Sequence, residues 1–410
     1  MSAKDITQAI AIMLAAGLGA ELVAGALRLP RMVVLLGAGA LLGPFAADAL
    51  DLPLDSAGIQ LLLTLGVSFI LFYGGLGLSL RVLQQVAVGL GLLAVVGVVL
   101  TAAVTGVVAA AAFGLPFQSG LLIGAVLAPT DPAILIPLFE RLRVRPKVVQ
   151  TIVAESALND PTGAVLALAV AAFVIKGSGS LSQPLYEFVK DLAISTGLGI
   201  VFGLLLAAVI SNRRLGVWSE SPAIAVMLIV AAGFFTIDSA GGSGYLGAFI
   251  AGLIVGNLDV LGLGMHSHHE LAMRSFIAIV ADVMVIFVFI TLGVNLPFGS
   301  FGDFALPALA TLGALLFVAR PLTVLACLLP DRRGRWTREE IIFVGWTRET
   351  GVVPAAVAGI LVAQGVPHAD EIVTTVALAV IVTLLLQATT KPWLARRLGL
   401  YEAAPAEEVL

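Results

Sequence analysis

Several carboxylates of this 410-residue chain stand within long apolar runs, where ionisable side chains are rare. Asp131 lies in the stretch 128–132, Ala-Pro-Thr-Asp-Pro, and Asp160 lies in the stretch 155–161, Glu-Ser-Ala-Leu-Asn-Asp-Pro. An ionised group at the centre of a bilayer costs about 2.5–3.5 kcal/mol on insertion scales. Residues kept there against this cost indicate an ion or proton pathway, so these two stretches are the first candidates for chemistry.

The stretch 128–132 predicts a broken helix. Pro132 removes a backbone donor and disfavours helical geometry at Asp131. The freed carbonyls are tolerated at membrane depth only where protein or water covers them. Together with the Thr130 hydroxyl and the Asp131 carboxylate they are hard oxygen ligands, of the type that binds Na⁺. The alternative is a proline kink in which Asp131 caps the second half of the helix.

The stretch 155–161 predicts two neighbouring polar stripes on one helix. Ser156 and Asp160 are four residues apart and share one stripe, while Glu155 and Asn159 share the next. The first stripe suits an ion site together with Asp131, and the second suits a structural ion pair. Asp160 has no basic neighbour in the sequence, so we expect it to bind either a proton or a cation. Asn159, a neutral amide, removes a second titratable carboxylate from the pair.

Two arginines also fall inside predicted spans. Arg320 lies about ten residues from the inner end of its span and Glu155 about eight from the inner end of its own, so we expect them to pair. The alternative is that Arg320 snorkels to the inner interface. Arg348 lies in a polar and Gly/Pro-containing interruption at 346–354 and is expected to neutralise the carbonyl ends of the broken helices. The alternative for Arg348 is local pairing with Glu349.

Composition places these groups in a membrane. The chain is 60% hydrophobic and 12% charged, whereas soluble domains carry about 25% charged residues. Apolar runs are continuous for about 20 residues, which excludes the period-two pattern of a β-barrel. The single cysteine, Cys327, excludes a disulfide within the chain and a cysteine-built metal site. The net charge of −4 argues against a nucleic-acid partner.

Charge clusters and turn residues divide the chain into thirteen predicted spans. They lie at roughly 5–27, 32–50, 57–80, 86–113, 118–140, 147–176, 186–211, 221–239, 243–263, 270–297, 302–330, 338–364 and 371–394. Alternate loops, together with the inner end of the last span and the residues after it, hold seventeen Lys and Arg residues, Lys391 among them, and the opposite side holds three. Because cytoplasmic loops carry the basic excess, the N-terminus is predicted outside and the C-terminus inside.

The fifth and twelfth predicted spans are both interrupted and cross the membrane in opposite directions. Interrupted spans at corresponding positions of inverted repeats point to a transport site at the midplane. We therefore predict an all-α polytopic membrane protein with thirteen transmembrane helices. They form two inverted six-helix repeats, spans 1–6 and 8–13, with crossed discontinuous helices and the seventh span as connector.

The motifs carry a family resemblance. Thr130-Asp131-Pro132, Glu155-Ser156, Asn159-Asp160 and Ala319-Arg320-Pro321 resemble the monovalent cation:proton antiporters. The most similar branch is that of the electroneutral sodium/proton exchangers, whose hallmark is the Asn-Asp pair. The resemblance covers residues from about 60 to 390.

The resemblance implies a homodimer with scaffold helices and a mobile core domain that carries the ion by an elevator-like movement. It implies that Asp160 is the essential carrier carboxylate, with Thr130, Asp131 and Ser156 helping to ligate Na⁺, and that Glu155 and Arg320 form a structural bridge. The scaffold and the start of the core are expected at 1–113, core helices at 118–176 and 302–394, connector and scaffold helices at 186–297, and a short cytoplasmic tail at 395–410.

Two stretches depart from the family's pattern. Tyr73 stands where many members of the branch carry an acid, which weakens any ligand role for the third span. The stretch 347–351, Thr-Arg-Glu-Thr-Gly, differs from the more usual Gly-Leu-Arg-Gly, so only Arg348 carries over there.

These observations predict a secondary antiporter that exchanges Na⁺, Li⁺ or K⁺ for H⁺ one for one across the cytoplasmic membrane. It would need no cofactor and no catalytic residue, and its partners would be the ions, the lipid bilayer and a second copy of the chain. A K⁺-selective antiporter is the first alternative. A cation channel is another, as is an intramembrane protease with Asp131 and Asp160 as its dyad, which would require two carboxylates sharing a proton.

Overall fold

The computed structural model of the protein describes residues 3–27, 29–81, 87–130, 144–176, 182–211, 216–299, 301–332 and 334–400. Regular structure within these ranges is helical, which confirms the predicted all-α class. The helices of the first half are α1 (Ala3–Leu27), α2 (Arg31–Leu42), α3 (Ala57–Leu76), α4 (Ala87–Gly91, Leu92–Gly97 and Val98–Phe113), α5 (Phe117–Val126), α6 (Pro146–Lys176) and α7 (Ser182–Ile210). Those of the second half are α8 (Pro222–Ser239), α9 (Gly244–Val255), α10 (Ser267–Val294), α11 (Phe301–Ala314, Leu315–Ala319 and Arg320–Leu328), α12 (Arg338–Trp346), α13 (Val352–Ala363) and α14 (Ala369–Arg397).

Length and hydropathy make the chain a multi-span membrane protein. Nine helices within the described ranges are long and apolar enough to cross a bilayer. Four shorter apolar helices, α2, α5, α9 and α13, accompany them. The predicted number of thirteen spans stays a prediction.

The second predicted span is shorter than the hydropathy indicates. Its helix, α2, ends at Leu42, where the prediction extended the span to residue 50. Gly43 is extended at the helix end, and its N–H donates to the Gly39 carbonyl at 2.9 Å. Pro44 follows at once and cannot continue the helical hydrogen bonding. The apolar residues after it form turns, because hydropathy alone does not distinguish a helix from a buried loop.

Irregular helical segments occur at corresponding positions of the two predicted repeats. The fourth span contains the π-helical segment Leu92–Gly97, and the eleventh contains Leu315–Ala319. In the fifth span the helix ends at Val126 and residues 128–130 are not helical, and the twelfth span is interrupted between Trp346 and Val352. Because π-helical segments and breaks often mark functional sites, this correspondence supports inverted repeats and directs attention to the places where the breaks meet.

Small residues let the helices around these breaks approach closely. A Cβ atom placed on Gly124 of α5 would lie 2.2 Å from the Ala102 carbonyl oxygen of α4. Without a side chain at that position, the two backbones can pack in direct contact, as is common between membrane helices. The close packing of α4 on α5 holds the start of the interrupted fifth span in place.

Candidate ion site

The break in the fifth span is held against α6. Leu127 caps α5, and residues 128–130 continue without helical structure and are buried. The Pro129 ring packs on Gly163 of α6, where a Cβ atom would lie 2.3 Å from Pro129 Cγ. The helix therefore ends before Pro129, and the chain from Ala128 to Thr130 is not helical. Asp131, assigned to the ion site by the sequence, lies outside the described residues.

Thr130 joins the two polar stretches through α6. Its backbone N–H donates to Asn159 Oδ1 at 3.1 Å, and its hydroxyl oxygen accepts from Asn159 Nδ2 at 2.9 Å. The Thr130 and Ser156 hydroxyl oxygens lie 2.7 Å apart and share a hydrogen bond. All three side chains are buried. Asn159 thus orients Thr130, so that a backbone group freed by the break is satisfied by a side-chain amide.

Asp160 lies on the same face of α6 as Ser156, one turn further along the helix. Unlike Ser156 and Asn159, it is partly exposed. Among the described residues, Thr130, Ser156 and Asn159 contact one another, and Asp160 follows Asn159 in the chain; a role of these residues in ion binding stays a prediction. Hydroxyl, amide and carboxylate oxygens are the ligands that small hard cations prefer.

Two cavities reach α6 on either side of Asp160. The first, here called the Tyr73 cavity, has a volume of about 470 Å³ and is lined by α3, α6 and α10, including Tyr73, Val153, Ala157 and Arg274. The second, here called the Tyr245 cavity, has a volume of about 500 Å³ and is lined by α6 from Val165 to Lys176 and by α7 to α9, including Tyr245. Tyr73, the departure from the family's acid, is 44% exposed in the first cavity.

Glu155 and Arg320 form a buried ion pair. Arg320 Nη1 donates to Glu155 Oε1, and Nη2 donates to Oε2 at 2.9 Å. The Nη2 atom also donates to the Val344 carbonyl at 3.0 Å. The two side chains are 2% and 3% exposed, so Arg320 does not snorkel to an interface. The pair predicted from equal depth is present, and it ties α6 to α11 and α12.

Arg348 lies at the end of the other broken helix. Its guanidinium donates to the Leu127 carbonyl, the C-terminal cap of α5. A cation at this position offsets the partial negative charge of the helix end. The predicted compensation of a broken-helix terminus by Arg348 is therefore present in the geometry. Glu349 does not pair with Arg348 but forms an ion pair with Lys391 of α14.

The burial of Lys391 corrects the charge assignment. The sequence placed Lys391 among the seventeen inner-side basic residues, whereas it is 0% exposed inside α14 and contacts the buried Glu349. The inner side therefore retains 17 − 1 = 16 basic residues from that assignment, still far above three. Hydropathy could not reveal this, because a lysine near a helix end is equally compatible with the interface and with a buried partner.

Sequence reasoning also missed the polar face of α14. Thr383, Gln387, Thr390 and Lys391 each contact the interrupted segment of the twelfth span or its flank. Their spacing of four, seven and eight residues places them on one helical face. That spacing was visible in the sequence. It was overlooked because threonine and glutamine are uncharged and stood out less than the carboxylates.

Asp282 has a partner that the sequence did not suggest. Arg31, at the start of α2, donates to Asp282 Oδ1 of α10 at 2.6 Å and to Oδ2 at 3.3 Å. Asp282 is exposed, and no ligand of the candidate ion site takes part in this pair.

The sequence matches the family described as "Sodium/hydrogen exchanger, transmembrane" over residues 10–397. The chain belongs to this family. Membership of the monovalent cation:proton antiporter superfamily, predicted from the motifs, is confirmed. A family of exchangers is one of transporters, so the protease alternative is excluded.

Several similar proteins are named as cation/proton antiporters. The K⁺/H⁺ antiporter NhaP of Alkalimonas amylolytica is 30% identical over 79% of this chain and 55% of its own length. The K⁺/H⁺ antiporter NhaP2 of Shewanella oneidensis is 30% identical over 90% of this chain and 63% of its own length. The Na⁺/H⁺ antiporter 1 of Methanocaldococcus jannaschii is 30% identical over 88% of this chain and 86% of its own length. This chain thus spans less than two thirds of the first two relatives.

The fold is shared with a solved structure. The sodium proton antiporter MjNhaP1 of Methanocaldococcus jannaschii at pH 8 superposes with a TM-score of 0.82, covering 96% of this chain and 99% of that chain. The sequence identity is 24%, so the likeness shows the fold alone. It supports the predicted antiporter architecture.

Proposed function

We propose that this protein exchanges a monovalent cation for a proton across a membrane, and that Asp160 binds the two in turn. The observation that carries the proposal is the junction of Thr130, Ser156 and Asn159 immediately before Asp160, beside a helix break. A carboxylate that holds either a proton or a cation carries the same charge in both loaded states. Exchange of one for the other is then electroneutral.

The hydroxyl groups supply the remaining ligands. The Thr130 and Ser156 oxygens are 2.7 Å apart, close enough for both to contact one cation. A bound ion would replace their mutual hydrogen bond by two ion–oxygen contacts. Asp131 follows Thr130 directly in sequence and is proposed as a further ligand.

The two cavities supply the route. The Tyr73 cavity reaches Ala157, three residues before Asp160, and the Tyr245 cavity begins at Val165, five residues after it. Both lie where α6 meets helices that the sequence assigns to the scaffold. A sliding movement of α6 along these helices would expose Asp160 to one cavity and then to the other, which is alternating access.

The cargo is proposed as Na⁺ or Li⁺, with K⁺ as the alternative. Relatives of similar identity are named both as Na⁺/H⁺ and as K⁺/H⁺ antiporters, so identity alone does not choose between the ions. The residual basic excess supports an orientation with the N-terminus outside and the C-terminus inside in the cytoplasmic membrane. A homodimer is proposed from the family resemblance, and the mass of the purified protein in detergent tests it.

The test is proton flux in everted vesicles, followed by dequenching of a pH-sensitive dye while Na⁺, Li⁺ and K⁺ chlorides are titrated. Asp160→Asn is expected to abolish cation-driven dequenching while the protein remains folded. Asp282→Asn serves as the matched control, because that carboxylate lies on α10 and pairs with Arg31. Retained exchange in Asp160→Asn would contradict the proposal, as would equal loss in both variants.

A further inference from the structure

One face of α14 forms hydrogen bonds and an ion pair with the interrupted twelfth span and its flank. Thr383 Oγ1 accepts from the Thr350 N–H at 2.9 Å, and Thr390 Oγ1 accepts from Trp346 Nε1 at 2.9 Å. Between these two contacts, Gln387 and Lys391 engage residues 348 and 349. A backbone without helical hydrogen bonds at membrane depth needs such partners. The α14 face therefore determines the conformation of the unwound segment.

Gln387 forms two hydrogen bonds with the backbone of Arg348. Its Oε1 accepts from the Arg348 N–H at 2.7 Å, and its Nε2 donates to the Arg348 carbonyl at 2.7 Å. Gln387 is fully buried, so bulk solvent does not compete for either bond. These two bonds fix the backbone from which the Arg348 guanidinium reaches Leu127.

Lys391 determines which partner Arg348 has. Glu349 is the next residue in the chain and carries the opposite charge, and both side chains are 2% exposed. Lys391 pairs with the Glu349 carboxylate. The guanidinium of Arg348 is thereby left to the Leu127 carbonyl, three residues before Thr130. Without Lys391, an unpaired buried carboxylate would compete for Arg348, because isolated buried charges are strongly unfavourable.

We propose that Gln387 and Lys391 are positioning residues of the ion site, acting through Arg348 on the end of α5. They keep the guanidinium on the Leu127 carbonyl, and so keep Thr130 where it meets Ser156 and Asn159. The inference rests on the proposed function, since it assigns these residues a part in cation binding. Supporting residues around metal ligands change affinity by about 10- to 100-fold when removed, and the same range is expected here.

The experiment compares Lys391→Met with the double variant Glu349→Gln/Lys391→Met in purified protein. The readout is the Na⁺ concentration that half-saturates binding, obtained by fitting the logarithmic rise of the melting temperature with Na⁺ concentration, which measures binding without transport. Lys391→Met is expected to raise this concentration by about tenfold or more. The double variant is expected to return to within about twofold of the wild type, because no carboxylate then competes for Arg348. An unchanged value in Lys391→Met, or no recovery in the double variant, would overturn the role of Lys391.

Gln387→Met tests the same role without changing any charge. It removes both bonds to the Arg348 backbone, and we expect half-saturation at an about tenfold higher Na⁺ concentration. Ser195→Ala is the matched control: this buried serine of α7 accepts from the Ser243 N–H at 2.6 Å, far along the chain from Arg348. It should lower the melting temperature without changing half-saturation. If Ser195→Ala shifted half-saturation as much as Gln387→Met does, the shift would reflect general destabilisation, and the positioning role of Gln387 would be refuted.

The response of the wild-type protein to cations distinguishes failure of the proposed function from failure of the positioning roles. If the wild-type protein shows no response to Na⁺, Li⁺ or K⁺, the proposed function fails. If it responds and the Gln387 and Lys391 variants respond at the same concentrations, only the positioning roles fail. Should Lys391→Met not fold, Gln387→Met decides whether the α14 face positions the site.

Discussion

The guanidinium of Arg320 bonds both carboxylate oxygens of Glu155 and, in addition, the Val344 carbonyl. One arginine side chain of α11 thereby joins α6, which carries Ser156 and Asp160, to α12, the helix that precedes the second break. Arg320 follows directly on the π-helical segment Leu315–Ala319, so this irregular segment precedes the point of contact. The pair holds the helix of the candidate ion site against the opposite repeat.

Removing one charge of this pair should destabilise the protein more than a substitution that keeps the charge and alters only the geometry of the pair. Glu155→Gln leaves the Arg320 charge buried without a counter-charge, and loss of one partner of a buried pair costs about 3–5 kcal/mol. Arg320→Lys keeps the charge but loses the fork that bonds both oxygens. We therefore expect the melting temperature in detergent to fall further in Glu155→Gln than in Arg320→Lys. Unchanged melting in both variants would show that the pair contributes nothing to stability.

The contact between Gly163 and Pro129 predicts a steric effect on the break. In Gly163→Ala the new methyl group would lie 2.3 Å from Pro129 Cγ, so the break must shift. Overpacking of this kind costs about 1–3 kcal/mol. We expect a lower melting temperature and a weaker cation response. Gly313→Ala is the control, because a Cβ there meets nothing within 4 Å; similar losses in both variants would argue against a specific role for the Pro129 contact.

Removal of the Ser156 hydroxyl is expected to weaken cation binding. Ser156→Ala removes one oxygen of the proposed site while leaving Asp160 in place. We expect the half-saturating Na⁺ concentration for proton flux to rise by about tenfold, with maximal flux less affected. Ser68→Ala is the control, since that buried hydroxyl bonds the Thr64 carbonyl of its own helix, at 2.8 Å, rather than a residue of the proposed site. Equal half-saturation in Ser156→Ala and the wild type would remove Ser156 from the ligand set.

Thr162 connects α6 to the first π-helical segment. Its hydroxyl donates to the Ala94 carbonyl at 2.7 Å and also lies close to the Leu158 carbonyl. Thr162→Val leaves a buried carbonyl without this donor, which costs about 1–3 kcal/mol. The matched control is Thr389→Val, whose exposed hydroxyl bonds only carbonyls of its own helix. Differential scanning fluorimetry should show a lower melting temperature for Thr162→Val than for the control.

Much of the architecture could be predicted because it depends on local composition. Continuous apolar runs identify membrane helices. A proline does not identify a break by itself, since Pro129 lies in a non-helical stretch whereas Pro161 lies within the continuous helix α6. Glu155 and Arg320 could be matched because only two arginines, Arg320 and Arg348, fell far from the ends of predicted spans, and depth is readable from sequence. The end of α2 was missed, since the apolar residues after Gly43 carry the same hydropathy in a turn as in a helix.

What the sequence by itself determined is that charged and hydrogen-bonding groups lie inside a membrane protein at two helix breaks. Only the tertiary structure decided which of them pair. Arg348 had Glu349 beside it in the chain, yet it bonds a carbonyl 221 residues away while Lys391 takes the carboxylate. The physical reason is that a buried charge pairs with whatever partner packing brings within reach. Which partner lies within reach depends on how α14 packs against the interrupted twelfth span, and this packing cannot be read from a local stretch of sequence.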